Sequence, residues 1–128
     1  MKEKLSLKVN KFTVLVFLAC FDFLVQIIAR RYGVGMENRG VALGLLGGIG
    51  IFPIAVVWMI LGGYIFCRQI ANRSYGLWLV FIGGGVNLLT RISTGSVWDY
   101  IPLLGVNLWV NTSDILVSLG VLLYILGR

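Results

Sequence analysis

Two aspartates near the end of the chain, Asp99 and Asp114, are the residues best suited to chemistry. The chain is 59% hydrophobic and has only five acidic residues among 128, so carboxylates between apolar segments are costly and are usually kept for function. Two carboxylates held within a few ångströms cannot both ionise cheaply and therefore share a proton. One can then activate a water while the other donates to a carbonyl, and the pair predicts an aspartic protease site.

Each aspartate taken alone has an ordinary explanation. Asp99 fits an exposed loop carboxylate equally well, and Asp114 fits the first turn of a helix, where the helix dipole favours negative charge. Polar residues at helical spacing strengthen the functional interpretation, because Asn111 lies one turn before Asp114 and Asn87 lies one turn before Arg91. We expect these side chains to meet in one pocket.

Two further polar residues belong to the earlier part of the chain. Asp22 and Gln26 stand at i and i+4 within an apolar run, and a structural hydrogen bond from Asp22 to another helix is favoured over a direct chemical role. Asn38 precedes a glycine-rich stretch whose Gly40 and Gly44 have helix-packing spacing, but packing does not explain Asn38 itself.

The composition excludes several classes of protein and site. There is no histidine, and Cys20 and Cys67 lie in apolar runs, which disfavours both a zinc site and a disulfide framework. Serine-type catalysis is disfavoured because every lysine lies in the N-terminal segment. The net charge of +6 sits mostly at the ends of apolar runs, where it sets topology, so nucleic-acid binding is not expected. Peptide hydrolysis by two aspartates needs no cofactor or metal.

Four apolar runs predict an all-α integral membrane protein of one domain, with four transmembrane helices and a small extracytoplasmic cap. The expected spans are residues 12–29, 45–67, 76–91 and 108–126. A signal peptide is the alternative interpretation of the first run, but the run continues past Cys20 to Ile28 without a small-residue cleavage site. Pro53 predicts a kink in the second span.

The distribution of lysine and arginine predicts that both termini are cytoplasmic. Seven basic residues then lie inside (Lys2, Lys4, Lys8, Lys11, Arg68, Arg73 and Arg128) and four outside (Arg30, Arg31, Arg39 and Arg91). The polar residues named above fall at or just beneath the outer face. Trp98, Tyr100 and Trp109 are interpreted as interfacial anchors without a catalytic role.

Five segments in this order resemble the bacterial lipoprotein signal peptidase family, signal peptidase II. Asp22 to Gln26 is similar to the family's D-x-x-x-K element, and Asn38 to Gly44 matches its N-x-G-x-A-x-G pattern. The segment from Gly84 to Arg91 resembles G-G-x-x-N-x-x-D-R with one residue fewer. Residues 97–101 match V-x-D-x-I, and residues 110–114 are similar to F-N-x-A-D.

The resemblance implies a role for each polar residue. The catalytic aspartates would be Asp99 and Asp114, and Asp22 would support them from the first helix. The residues around the scissile bond would be Asn38, Asn87, Arg91 and Asn111. The implied enzyme sits in the bacterial cytoplasmic membrane and removes the signal peptide of diacylglyceryl-modified prolipoproteins just before the lipidated cysteine. Membrane lipids are the other implied partner, and a monomer is expected.

The chain departs from the family at two positions. Gln26 stands where the family has lysine, and Thr90 stands where it has the aspartate before arginine. If that aspartate orients the arginine, another group must hold Arg91, and Asn87 is the candidate. Three alternatives stay open: a homologue that binds lipoproteins without cleaving them, a four-helix transporter that uses Asp22 as its ion site, and an accessory membrane protein.

Overall fold

The computed structural model describes residues 10–40, 50–68 and 74–128. This part of the chain contains four helices and four strands of three residues each. In chain order they are α1 (Lys11–Tyr32), β1 (Met36–Asn38), α2 (Ile51–Arg68), α3 (Tyr75–Thr94), β2 (Val97–Asp99), β3 (Ile101–Leu103), β4 (Leu108–Val110) and α4 (Thr112–Ile125). The strands lie at the end of the molecule where α1 and α3 finish and α4 begins.

Capping residues set the limits of α1 and α3. The side chains of Asn10 and Ser74 accept backbone N–H groups of the first turn, and Gly33 and Gly95 end the helices in the left-handed conformation. The two helices cover the predicted spans 12–29 and 76–91 and run up to three residues further at their C-terminal ends.

The second predicted span is partly covered by α2. Residues 45–49, and most of the Gly40 to Gly44 stretch, lie outside the described residues. Pro53 occupies the first turn of α2 rather than its interior. A proline costs little there, because its missing N–H would have no partner within the helix. Pro53 therefore belongs to the helix start and not to the expected kink.

The all-α prediction is wrong for the segment before the last helix. Leu108–Val110 forms strand β4 and pairs with β3, so the helix predicted over 108–126 begins only at Thr112. Strands β1 and β2 form a second antiparallel pair in which Asn38 stands opposite Val97. Two of the three residues in β2 and in β4 are β-branched or aromatic, which favours extended backbone, and a buried asparagine at 111 then starts the helix.

Glycines bring α3 and α4 into close contact. A Cβ atom added to Gly76 would lie 2.5 Å from the carbonyl oxygen of Gly120, and one added to Gly120 would lie 2.5 Å from that of Gly76. Two turns along, a Cβ atom on Gly83 would lie 2.7 Å from the carbonyl oxygen of Ser113. Small residues at these crossing points let the backbones approach, as in packed membrane helices.

Apolar side chains cover much of the outside of the helices. Phe17 is 67% exposed and Phe66 is 86% exposed, and α1 and α3 have the length and mean hydropathy (2.4 and 1.3) of membrane-crossing helices. Helices α2 and α4 are apolar but shorter by the same measure. So apolar an exterior is typical of a protein surrounded by lipid. The crossing of the membrane by all four helices stays a prediction.

Close packing of α3 against α4 generates a stability prediction. Gly76→Ala and Gly120→Ala are each expected to destabilise the protein by about 1–3 kcal/mol, because the added methyl group would overlap a backbone carbonyl of the other helix. The measurement is thermal unfolding of the purified protein in detergent. Gly63→Ala is the matched control, since a Cβ atom there meets nothing within 4 Å. Equal melting temperatures for all three variants would contradict the packing argument.

Candidate active site

The two aspartates belong to the two elements that flank the β3–β4 hairpin. Asp99 is the last residue of β2, and Asp114 is the third residue of α4. Strand pairing places Met36 of β1 opposite Asp99, which brings Asn38 onto the same side of the site. Gly35, with a φ of 110°, lies against the backbone of Asp99, where a side chain would collide with its carbonyl oxygen.

Asp99 is almost fully buried and accepts hydrogen bonds from two amides. Its Oδ2 accepts from Asn38 Nδ2 at 2.8 Å, and its Oδ1 accepts from Asn111 Nδ2 at 2.8 Å. Burial raises the pKa of Asp99 to about 6 from an ordinary value near 3.8, although the two amides partly oppose the rise. The negative charge of Asp114 also raises this pKa. The aspartates therefore interact electrostatically.

Asn111 connects the two aspartates. It is fully buried, and it is the N-cap of α4. While its Nδ2 donates to Asp99, its Oδ1 accepts from the backbone N–H of Asp114 at 2.9 Å. Asp114 Oδ2 accepts in return from the backbone N–H of Asn111 at 3.2 Å, which completes a capping box. One side chain thus fixes the position of both carboxylates.

Helix α3 supplies the third side of the site. Asn87 Nδ2 donates to Asp114 Oδ1 at 2.9 Å, while its own Oδ1 is a buried acceptor that has no partner among the described residues. Arg91 donates to the carbonyl oxygen of Asn87 at 3.2 Å and to that of Gly40 at 2.6 Å. Arg91 is therefore held by two backbone carbonyl oxygens, while the side chain of Asn87 contacts Asp114. Thr90 itself donates to the carbonyl oxygen of Val86 within the helix.

Asp22 lies beneath the pair and has a structural environment. It is fully buried, and four groups donate to it: the side chains of Gln26, Tyr100 and Ser113 and the backbone N–H of Thr112. These contacts tie α1 to the N-terminus of α4, where the helix dipole favours a carboxylate. Gln26 Oε1 also accepts the backbone N–H of Trp98 at 3.2 Å. The structural interpretation of Asp22 agrees with this geometry.

Some participants were not identified from the sequence. Tyr100 was interpreted as an interfacial anchor, but its hydroxyl lies 2.7 Å from both Asp22 Oδ1 and Thr112 Oγ1. Ser96 donates to Glu37 at 2.7 Å and accepts from Arg30, which fastens β1 to the end of α3. Spacing did not predict these contacts, because those of Ser96 and the one between Tyr100 and Asp22 join parts of the chain 59 to 78 residues apart, and Tyr100 meets Thr112 across the β3–β4 hairpin.

Each aspartate lines a different cavity. A polar one of about 290 Å³ is lined by Asn38, Arg39, Asp99 and Trp109 among others. An apolar one of about 360 Å³ follows α4 from Asp114 towards Leu122. Within the described residues, no group of three histidine, cysteine, aspartate or glutamate side chains is placed to bind a metal ion. The site therefore combines a polar end with a lipid-like groove.

Comparisons with known proteins agree with this arrangement. Two solved structures, both described as bacterial membrane enzymes determined by the in meso method, share the fold. The first has a TM-score of 0.73 and 22% sequence identity, and the match covers 90% of this chain and 84% of the other. The second has a TM-score of 0.68 and 24% sequence identity, and the match covers 90% of this chain and 89% of the other. A comparison with curated proteins gave no match. Residues 9–127 match the model of the family described as Signal peptidase (SPase) II. The chain therefore belongs to the signal peptidase II family, whose members are membrane proteases that process lipoproteins.

Proposed function

We propose that the protein is an aspartic endopeptidase that removes the signal peptide from diacylglyceryl-modified prolipoproteins, cleaving just before the lipidated cysteine. The observation that carries the proposal is the bridge through Asn111, which links Asp99, in a cavity lined partly by polar side chains, to Asp114, in an apolar cavity. A peptide next to a lipidated residue needs both environments at once.

The two carboxylates have different surroundings and hence different roles. We assign the base to Asp114 because the N-terminus of α4 and the amide of Asn87 stabilise its charge and so offset part of the cost of its burial. The raised pKa of Asp99 makes it the proton donor, and a substrate that expels water from the cavity raises this pKa further.

The reaction then needs no group beyond the pair and a water. Asp114 takes a proton as the water oxygen attacks the scissile carbonyl carbon, and Asp99 gives its proton to the carbonyl oxygen. Collapse of the resulting gem-diol returns one hydroxyl proton to Asp99 and breaks the C–N bond, with the proton on Asp114 passing to the leaving nitrogen.

The membrane arrangement belongs to the same proposal. Four spans with both termini cytoplasmic put the aspartates at the outer surface of the bacterial membrane, where lipidated precursors are accessible. The apolar cavity along α4 is suited to the signal helix or the acyl chains. A monomer is sufficient, because every group named for the reaction comes from one chain. Asp22 is fully buried and has four donors, which argues against the transporter alternative.

Cleavage of a lipidated substrate tests the proposal. The wild-type protein is expected to release the signal peptide from a diacylglyceryl-modified prolipoprotein in detergent, while Asp99→Asn and Asp114→Asn each lose about 1,000-fold or more of kcat/KM. A gel shift follows the reaction, and an active family member in the same buffer is the positive control. If that enzyme cuts the substrate and the wild-type protein binds it without cutting, the protein is a binding homologue and the peptidase proposal fails.

The pH dependence of stability tests the protonation of Asp99. Its folded-state pKa of about 6 lies above the ordinary value of 3.8, so the proton stabilises the fold fully below about pH 4, and this stabilisation is lost as the pH rises through 6. As the pH rises from about 4 to above 6, the free energy of unfolding of the wild type should therefore fall by up to about 3 kcal/mol relative to that of Asp99→Asn. Thermal unfolding at successive pH values in detergent measures the difference.

Glu37 provides a control of opposite sign on the neighbouring strand. Hydrogen bonding from Ser96 lowers the pKa of Glu37 from its ordinary value of 4.5. The wild type should therefore be more stable to unfolding than Glu37→Gln above about pH 4.5, and this difference should be lost as the pH falls below that value. A difference between wild type and Asp99→Asn that stays flat, or that follows the Glu37 pattern, would contradict the raised pKa.

A further inference from the structure

Tyr100 follows the first aspartate directly, and its side chain reaches the helix that carries the second. Its backbone N–H donates to the carbonyl oxygen of Val110 at 3.1 Å, immediately before the Asn111 cap. Its hydroxyl lies at the meeting point of α1 and α4, 2.7 Å from Asp22 Oδ1 and 2.7 Å from Thr112 Oγ1. Tyr100 therefore contacts α1 and the start of α4, the two elements that determine where Asp114 lies.

The direction of these hydrogen bonds follows from the groups involved. A phenol has a single proton to donate, and the carboxylate of Asp22 is the stronger acceptor, so Tyr100 donates to Asp22 and accepts from Thr112. Burial raises the pKa of Tyr100 to about 12, which keeps the proton on the phenol at physiological pH. The chain of hydrogen bonds from Thr112 through Tyr100 to Asp22 therefore has one fixed polarity.

This chain of hydrogen bonds restrains the first turn of α4, because Thr112 belongs to that turn. Thr112 lies between the N-cap Asn111, which donates to Asp99, and Ser113, which donates to Asp22. A change in the rotation or depth of the first turn of α4 would move Asp114 and would also withdraw Asn111 from Asp99. Tyr100, joined covalently to Asp99, is the side chain that opposes such a change from the β2–β3 side.

We propose that Tyr100 is a positioning residue, whose hydroxyl holds Asp99 and Asp114 at their working separation by linking the backbone beside Asp99 to Asp22 and to the first turn of α4. The role rests on the proposed peptidase function, but the contact itself does not. Tyr100 touches neither aspartate of the pair through its side chain, so it acts on the reaction only through the geometry of others.

Tyr100→Phe removes the hydroxyl alone and is the primary test. In the full-length protein in detergent, kcat for a diacylglyceryl-modified prolipoprotein should fall about tenfold while KM stays within about twofold, because the substrate still binds but meets a displaced pair. Tyr32→Phe is the matched control, since Tyr32 is 76% exposed at the end of α1. An unchanged kcat, or a rise in KM alone, would overturn the proposal.

A double-mutant cycle shows whether the hydroxyl acts through its partners. If it does, Tyr100→Phe should add less than about twofold to the loss of kcat already caused by Thr112→Val, which leaves the buried Asp22 carboxylate intact. A second cycle uses Asp22→Asn where that variant folds. Independent effects that multiply in the Thr112→Val cycle would show that Tyr100 does not work through α4, and would reject the proposed role.

Hydrogen exchange separates this inference from the proposed function. Loss of the hydroxyl should speed amide exchange at Tyr100 and in the first turn of α4 by at least about fivefold, with no change in Tyr32→Phe. A wild-type protein that fails to cleave would remove the peptidase proposal, and faster exchange in Tyr100→Phe would still establish the contact as a positional constraint. Exchange that is identical in wild type and Tyr100→Phe would overturn the inference whether or not cleavage occurs.

Discussion

Burial of three carboxylates within one small region is the constraint on which the rest of the structure depends. A carboxylate taken out of water has to receive hydrogen bonds, and here the donors for each one come from different elements. Asp22 on α1 is supplied by α4 and by Tyr100, Asp99 by β1 and the cap of α4, and Asp114 by α3. Helix packing, strand pairing and helix capping therefore have to be correct together, because an error in any one leaves a buried charge without donors.

The same constraint separates a structural carboxylate from the proposed catalytic pair. Asp22 has four donors and no exposed surface, so no substrate can reach it. Among the residues that the structure describes, Asp99 and Asp114 each have two donors, and each lines a cavity. An ionised carboxylate can accept about four hydrogen bonds, so both members of the pair retain capacity for a water or a peptide group. The satisfied aspartate holds the elements in place, and the incompletely satisfied ones are available for chemistry.

Local spacing predicted the parts of the site that lie on one helix, and failed where two distant segments meet. The intervals from Asn87 to Arg91 and from Asn111 to Asp114 correspond to real neighbours, and α1 and α3 cover two of the runs predicted as helices. Helix α4 begins four residues after the predicted start of its span. The hydrogen bond between Asn38 and Asp99 depends on pairing of β1 with β2, and three-residue strands in an apolar chain have too little alternation to be recognised. For the same reason, hydropathy could not distinguish strand β4 from the start of α4.

The two departures from the family pattern become understandable in terms of donors and acceptors. A lysine at position 26 could only donate, whereas Gln26 donates to Asp22 and also accepts from the backbone of Trp98, one residue before Asp99. The exchange gives up a neutralising charge and adds a link to the strand that carries Asp99. At position 90 the hydroxyl of Thr90 turns back to its own helix, so Arg91 is held by two carbonyl oxygens and not by an adjacent acid. Its positive charge is then left to act on Asp99 and Asp114, where it offsets part of the cost of burying two carboxylates side by side.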